Sequence, residues 1–158
     1  MSSISDLRRI LGVNKTIAVV GLSPQWHRPS FFAAKYMQAH GYRIVPINPG
    51  ASEILGERSY ASVTEAAQHV AIDMVDCFRK TEDIGPIADE AIAIGAKCLW
   101  QQIGVLNHAA AAKAQAAGLD VVMDRCVKIE HARLYGGLGW FGVNTKVISS
   151  KRPQQLPY

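Results

Sequence analysis

The chain has 158 residues, 49% of them hydrophobic, 19% charged and 8% aromatic, a balance that excludes disorder and a fibrous fold and fits one compact domain. Its 17 Lys and Arg outnumber 13 Asp and Glu, leaving +4, and the basic residues are scattered instead of gathered in a run; that points to a small anionic partner and away from nucleic acid. Three cysteines, at 77, 98 and 126, have a spacing that builds neither a disulfide framework nor a zinc site.

Short β-branched runs alternate with alanine-rich stretches along the chain. A helix near residues 3–11 comes first, then a strand at Thr16–Val20. Pro29 opens a helix whose Phe32, Ala33, Tyr36 and Met37 share one face, and Gly41 closes it after His40. The second strand is Arg43–Ile47; the segment from Gly50 to Tyr60, with Gly56 inside it, is expected to form a small extra strand or flap. Ser62 with Glu65 fits a capping box. A third strand at Asp73–Phe78 leads to a helix that begins near Thr81, with Glu82 and Asp83 in its first turn, and ends at Gly95. Lys97–Gln101 is the fourth strand, Asn107 caps a run of alanines ending before Gly118, and Leu119–Met123 is the fifth strand.

Strand, helix, strand in this order predicts an α/β fold: a single doubly wound, mainly parallel Rossmann-like sheet with helices on both faces. One domain over residues 1–158, with its core at about 15–134, is expected. From Gly136 the pattern weakens into Gly-Gly-Leu-Gly-Trp-Phe-Gly and a Pro-containing basic tail, a C-terminal extension that could pack on the sheet or on a second subunit as a homodimer. The start of the chain has no apolar stretch behind its charges, and no segment approaches the ~18 apolar residues of a membrane span, so a cytoplasmic protein is expected.

Ligands of an open parallel sheet bind outside the carboxyl ends of its strands. The first turn, Gly21 to Ser30, matches a dinucleotide fingerprint only at Gly21, because Ser23 and Trp26 stand where that pattern has glycine. It keeps a helix N-terminus and adds Arg28 and the hydroxyls of Ser23 and Ser30, a set suited to phosphate; alternatively, Ser30 only caps its helix and Gly21 only permits a turn. An NAD site expects an acid about 20 residues beyond the glycines, and here the second strand ends in Asn48-Pro49. Asn48 can bond a ribose or an adenine edge, or form part of a plain turn. Phe78 offers a ring, and Arg79 and Lys80 offer charge, unless they are a core ring with solvated neighbours. Gln102 and Gly104 could let a ligand run close to the backbone. Cys126 follows Arg125, and a nearby cation can lower a thiol pKa; a buried inert thiol is the alternative, and no base is assigned to it.

Val20-Gly-Leu-Ser23 with Arg28-Pro-Ser30, Pro46-Ile-Asn-Pro49, Val75-Asp-Cys-Phe-Arg79, Gly95-Ala-Lys97 to Gln102 and Met123-Asp-Arg-Cys126 with Ile129-Glu-His131 together resemble the small CoA-binding domain family, related to the CoA-binding domain of the succinyl-CoA synthetase α subunit. The resemblance implies a site for CoA or an acyl-CoA. In it Gly21, Leu22, Ser23, Arg28, Pro29 and Ser30 form the phosphate loop and Asn48 and Pro49 line the nucleotide. Phe78, Arg79, Gln102 and Gly104 continue the pocket, with Cys126 near the thiol end. No further domain is present to supply the synthetase's chemistry, so a non-catalytic carrier, sensor or regulator is expected, with no metal and no membrane or nucleic-acid partner. An NAD(P)-dependent oxidoreductase, or a thiol or acyl exchange at Cys126, is the enzymatic alternative.

Overall fold

The computed structural model describes residues 2–135 of the chain, and the Trp140-Phe141 tail lies outside them. Helix α1 (Ile4–Val13) starts at a reciprocal cap in which Ser3 Oγ accepts from Asp6 N while Asp6 accepts from Ser3 N; it buries Leu7, Ile10 and Leu11. The chain continues through β1 (Thr16–Val20), α2 (Pro29–Ala39), β2 (Arg43–Ile47), the two-residue strands β3 (Glu53–Ile54) and β4 (Glu57–Arg58), and α3 (Val63–Ala67). It closes with β5 (Met74–Cys77), a 3-10 turn (Thr81–Asp83), α4 (Ile84–Ala93), β6 (Cys98–Gln101), α5 (His108–Ala116), β7 (Asp120–Val122) and α6 (Val127–Tyr135).

Five strands pair in the order β2-β1-β5-β6-β7, all parallel. Each is nearly continuous in apolar side chains because the sheet is covered on both faces. Ile17, Val19, Ile44, Met74 and Trp100 pack towards α1, α2 and α6, while Ala18, Val20, Val45, Val75 and Leu99 pack towards α3, α4 and α5. The chain leaves β1 for β2 on one side and returns to β5 on the other, so the switch point of the winding lies between β1 and β5. The expected Rossmann-like architecture is therefore present.

Several local expectations change. On α2 the buried face is Ser30, Ala33, Ala34 and Met37, with Phe32 and Tyr36 only partly covered, because α6 and the sheet meet the helix on the side of its small residues. The Gly50–Tyr60 segment keeps its expected small extra structure, an antiparallel hairpin that turns through Leu55 and Gly56, both at positive φ (56° and 74°), as a two-residue turn requires. The helix expected from Thr81 begins with a 3-10 turn. Helix α6 has no counterpart among the predicted elements, for it buries Glu130 and His131 beside Val127 and Ala132 and shows no apolar period.

Trp100, fully buried on β6, also donates its Nε1–H to the Arg125 carbonyl (2.7 Å), so it joins the sheet to the loop before α6. Trp100→Ala is expected to cost about 3–5 kcal/mol of stability. Urea unfolding should read this as a lower midpoint at an unchanged slope.

Candidate functional site

At the switch point the backbones of two strand ends touch. Gly21, at φ +83°, donates its N–H to the Ile47 carbonyl (3.0 Å), and Phe78 donates to the Val20 carbonyl (2.9 Å). A Cβ on Gly21 would fall onto the Phe78 carbonyl oxygen and against Arg79 Cδ, so glycine is required here by both conformation and space. Gly21 thus draws the loop after β1 against the Phe78-Arg79 segment.

Two clefts flank this contact. One, of about 400 Å³, lies over the ends of β1 and β2 and is walled by Gly21, Ser23, Asn48, Pro49, Ser62 and Ile87. The other, of about 540 Å³, lies beyond β5 towards β6, between Phe78, Lys80, Gln102, Ile103 and Val105. Arg79 and Asp83 line both. Their ion pair, Nη2 to Oδ2 at 3.4 Å, joins two half-exposed side chains between the clefts.

The loop residues are partly committed to one another. Ser30 Oγ accepts from Ser23 N (3.0 Å) and Ser23 Oγ accepts from Gln25 N (3.1 Å), which leaves each hydroxyl able to donate. Ser30 therefore does not cap α2; Arg28 holds that position without a side-chain bond, and Pro29 follows as the first helical residue. Arg28 and Pro29 are exposed, and Arg28 Nε donates to Gln25 Oε1 (3.3 Å). Leu22 is fully buried, so only its backbone faces the loop, and its carbonyl accepts from Asn48 Nδ2 (2.9 Å). Asn48 Oδ1 also accepts from Gly50 N (2.8 Å), so this amide ties the first loop to the second. Pro49 is exposed at the cleft edge.

Gly104 is exposed at φ +82° and donates its N–H to Asp124 Oδ1 (2.7 Å), which makes it a turn outside both cleft walls. Cys126 is buried, and its thiol is pushed up, first by burial; the backbone amides of Ile129 and Lys128 pull the other way and do not prevail. Of the two readings of Cys126, the buried thiol is the one the structure has, and not the thiol lowered by a neighbouring cation. His131 does not serve Cys126 as a base: its Nδ1 lies 2.9 Å from the Tyr36 hydroxyl, inside a cluster with His40, Tyr42 and Tyr135.

Three acids of the site escaped the sequence analysis. Asp83 and Glu90 reach the smaller cleft from α4 and the turn before it, although the strand ends themselves are poor in acids. Asp83 had only the signal of an acidic helix start and Glu90, inside α4, had none; neither says where the side chain points. Asp76 lies 1% exposed within β5 and accepts from Gln102 Nε2 at 2.6 Å; burial raises its carboxyl to about 7. No group of three or more His, Cys, Asp or Glu among the described residues has the arrangement to hold a metal ion.

A family model described as "CoA binding domain" matches residues 15–132. The Bacillus subtilis uncharacterized protein YneT is 38% identical over 130 residues, covering 82% of this chain and 95% of its own length. Among solved structures, a hypothetical protein from Pyrococcus horikoshii is 39% identical with a TM-score of 0.80, covering 84% of this chain and 92% of that one. The dinucleotide-forming acetyl-coenzyme A synthetase 1 of Ca. Korarchaeum cryptofilum, at 22% identity and a TM-score of 0.62, shares the fold over 73% of this chain and 27% of its own.

Asp83 competes with any anion for Arg79 and sets a negative charge at the mouth of both clefts. Asp83→Asn is expected to tighten binding of pyrophosphate about twofold to fivefold, in keeping with the small worth of an exposed ion pair. Titration calorimetry reads it; unchanged or weaker binding would show that Arg79 does not meet the anion.

Proposed function

The chain belongs to the CoA-binding domain family, and from that premise we propose that it binds CoA or an acyl-CoA as a single cytoplasmic domain with no chemistry of its own, serving as a carrier, sensor or regulator. The observation that carries this reading is the contact forced by Gly21. It sets the start of a loop that carries Ser23 and Arg28 against Arg79 at the switch point, with a cleft on either side. A pyrophosphate over Gly21, Ser23 and Ser30 would lie between Arg28 and Arg79, at the N-terminus of α2. The nucleotide would then occupy the cleft beside Asn48 and Pro49, and the thiol-bearing arm the cleft beside Gln102.

One observation favours a second reading. Asp83 and Glu90 bring carboxylates to the cleft that a dinucleotide's adenosine would fill, and carboxylates hold ribose hydroxyls. Glu90, however, already accepts from Thr64 N (2.9 Å) and Asp83 from Arg79. A nicotinamide-dependent activity is the weaker reading for that reason.

Native mass spectrometry of the purified protein, with a thermal-shift comparison of CoA, acetyl-CoA, NAD and NADP, separates the two. Stabilisation by CoA or its thioester is expected; stabilisation by a nicotinamide cofactor alone would reverse the assignment. Arg28→Ala and Arg79→Ala, both exposed, should each weaken CoA binding about tenfold without lowering the unfolding temperature. Cys126→Ser should leave CoA affinity within about threefold, as for a wall residue outside the anion contacts.

A further inference from the structure

Gln102 is 4% exposed, yet it lines the larger cleft, so the little of it that is accessible faces that space. Its amide is anchored at one end only. Nε2 donates to Asp76 Oδ1 at 2.6 Å, whereas Oε1 takes no hydrogen bond from the described residues. Among those residues Asn14 Oδ1 is the one fully sealed side-chain oxygen or nitrogen without a partner, so Gln102 Oε1 is not sealed and opens on the cleft. A carboxylate can only accept, and therefore an ionised Asp76 fixes which end of the amide is turned outward.

We propose that Asp76 is a positioning residue: by holding Gln102 Nε2 it presents Gln102 Oε1 to the cleft as an acceptor for an N–H or O–H of the ligand arm lodged there. This rests on the CoA reading, in which the arm between pyrophosphate and thiol carries amide N–H groups among methylenes. Ile103 and Val105 supply the apolar wall for the methylenes, and Gln102 supplies the acceptor for an amide. The selectivity is directional. A protonated Asp76 can donate as well as accept, so it no longer fixes the amide, and a Gln102 that turns over to accept from it faces the cleft with a donor instead.

The carboxyl stands near 7, so this reversal falls within reach of ordinary buffers. The titratable groups that sense its charge are the thiols of Cys77 on β5, Cys98 on β6 and Cys126 ahead of α6. All three are pushed upward, first by burial, and so stay neutral over the range in question. Because the folded carboxyl lies above its unfolded value, the folded state holds the proton more tightly. Asp76's contribution to stability is whole at acid pH and is lost as the pH rises towards 7.

The test compares CoA with the methyl ester of adenosine 3′,5′-bisphosphate at its 5′-phosphate, which lacks the arm and whose 5′-diester, like CoA's pyrophosphate, does not titrate in this range, by titration calorimetry at about pH 8 and about pH 6. Taking the ratio of the two affinities cancels the titration of the shared 3′-phosphate. In the natural protein the ratio should fall about fivefold to tenfold on acidification, the worth of one hydrogen bond. Asp76→Asn should make the ratio independent of pH, and its stability should no longer decline between about pH 4 and 7. Gln102→Met should lower CoA affinity and leave that of the methyl ester unchanged; if that variant fails to fold, Asp76→Asn decides alone. A pH-independent ratio in the natural protein, or equal losses for both ligands in Gln102→Met, would overturn the positioning role. Failure of the natural protein to bind either ligand would instead overturn the CoA reading.

Discussion

The approach of Gly21 to the Phe78 carbonyl is the constraint from which the site follows. Parallel register between β1 and β5 carries Val20 and Cys77 to the same level, so the residues immediately beyond them must share one narrow space. Only a residue without a Cβ and with access to positive φ can turn there. Once it does, the start of the first loop lies against Arg79, and Ser23 two residues on donates to Ser30 in the first turn of α2. Sequence positions more than fifty residues apart become neighbours because a single methyl group is missing.

Around that contact most polar side chains are engaged in building the cleft walls. Asn48 bridges two loops, Ser30 holds Ser23, and Gln102 is held by Asp76. Such bonds limit what each group can offer a ligand: a hydroxyl that accepts keeps its proton for donation, and an amide gripped by its NH₂ keeps its oxygen. The cleft is therefore selective by remainder. What faces inward is set as much by internal partners as by residue type, and this gives the buried Asp76 an influence on a surface it barely touches.

The fold was legible because a sheet covered on both faces writes itself as apolar runs, and because Gly41, Gly95 and Gly118 end helices at positive φ. All five main strands fall within the predicted runs. Helix α6 left no such trace, since its buried face is completed by Glu130, whose charge is met by Arg125 and Arg133, and by His131 inside an aromatic cluster; polar side chains that are buried through their partners write no apolar period. Both clefts lie at strand ends, where the alternation of strands and helices had directed attention. The acids of α4 were not legible, because helical position alone does not tell which side chains reach over a neighbouring strand. Leu22 shows the converse, a residue of the right loop whose side chain points into the core.

The thiols close the argument about chemistry. Cys126 has the features that make a cysteine reactive: backbone amides of Lys128 and Ile129 aimed at its sulfur, and the charge of Lys128 near it. Burial outweighs them, and the charge of Asp76 adds to burial. The sulfur is thus a protonated thiol at neutral pH, and the imidazole nearest in sequence among the described residues, His131, is turned to Tyr36. Nucleophilic exchange needs the thiolate, so a ligand thiol brought to this end of the sheet would meet a wall and not a reagent. Burial, and not the polar groups aimed at it, sets the protonation of this sulfur.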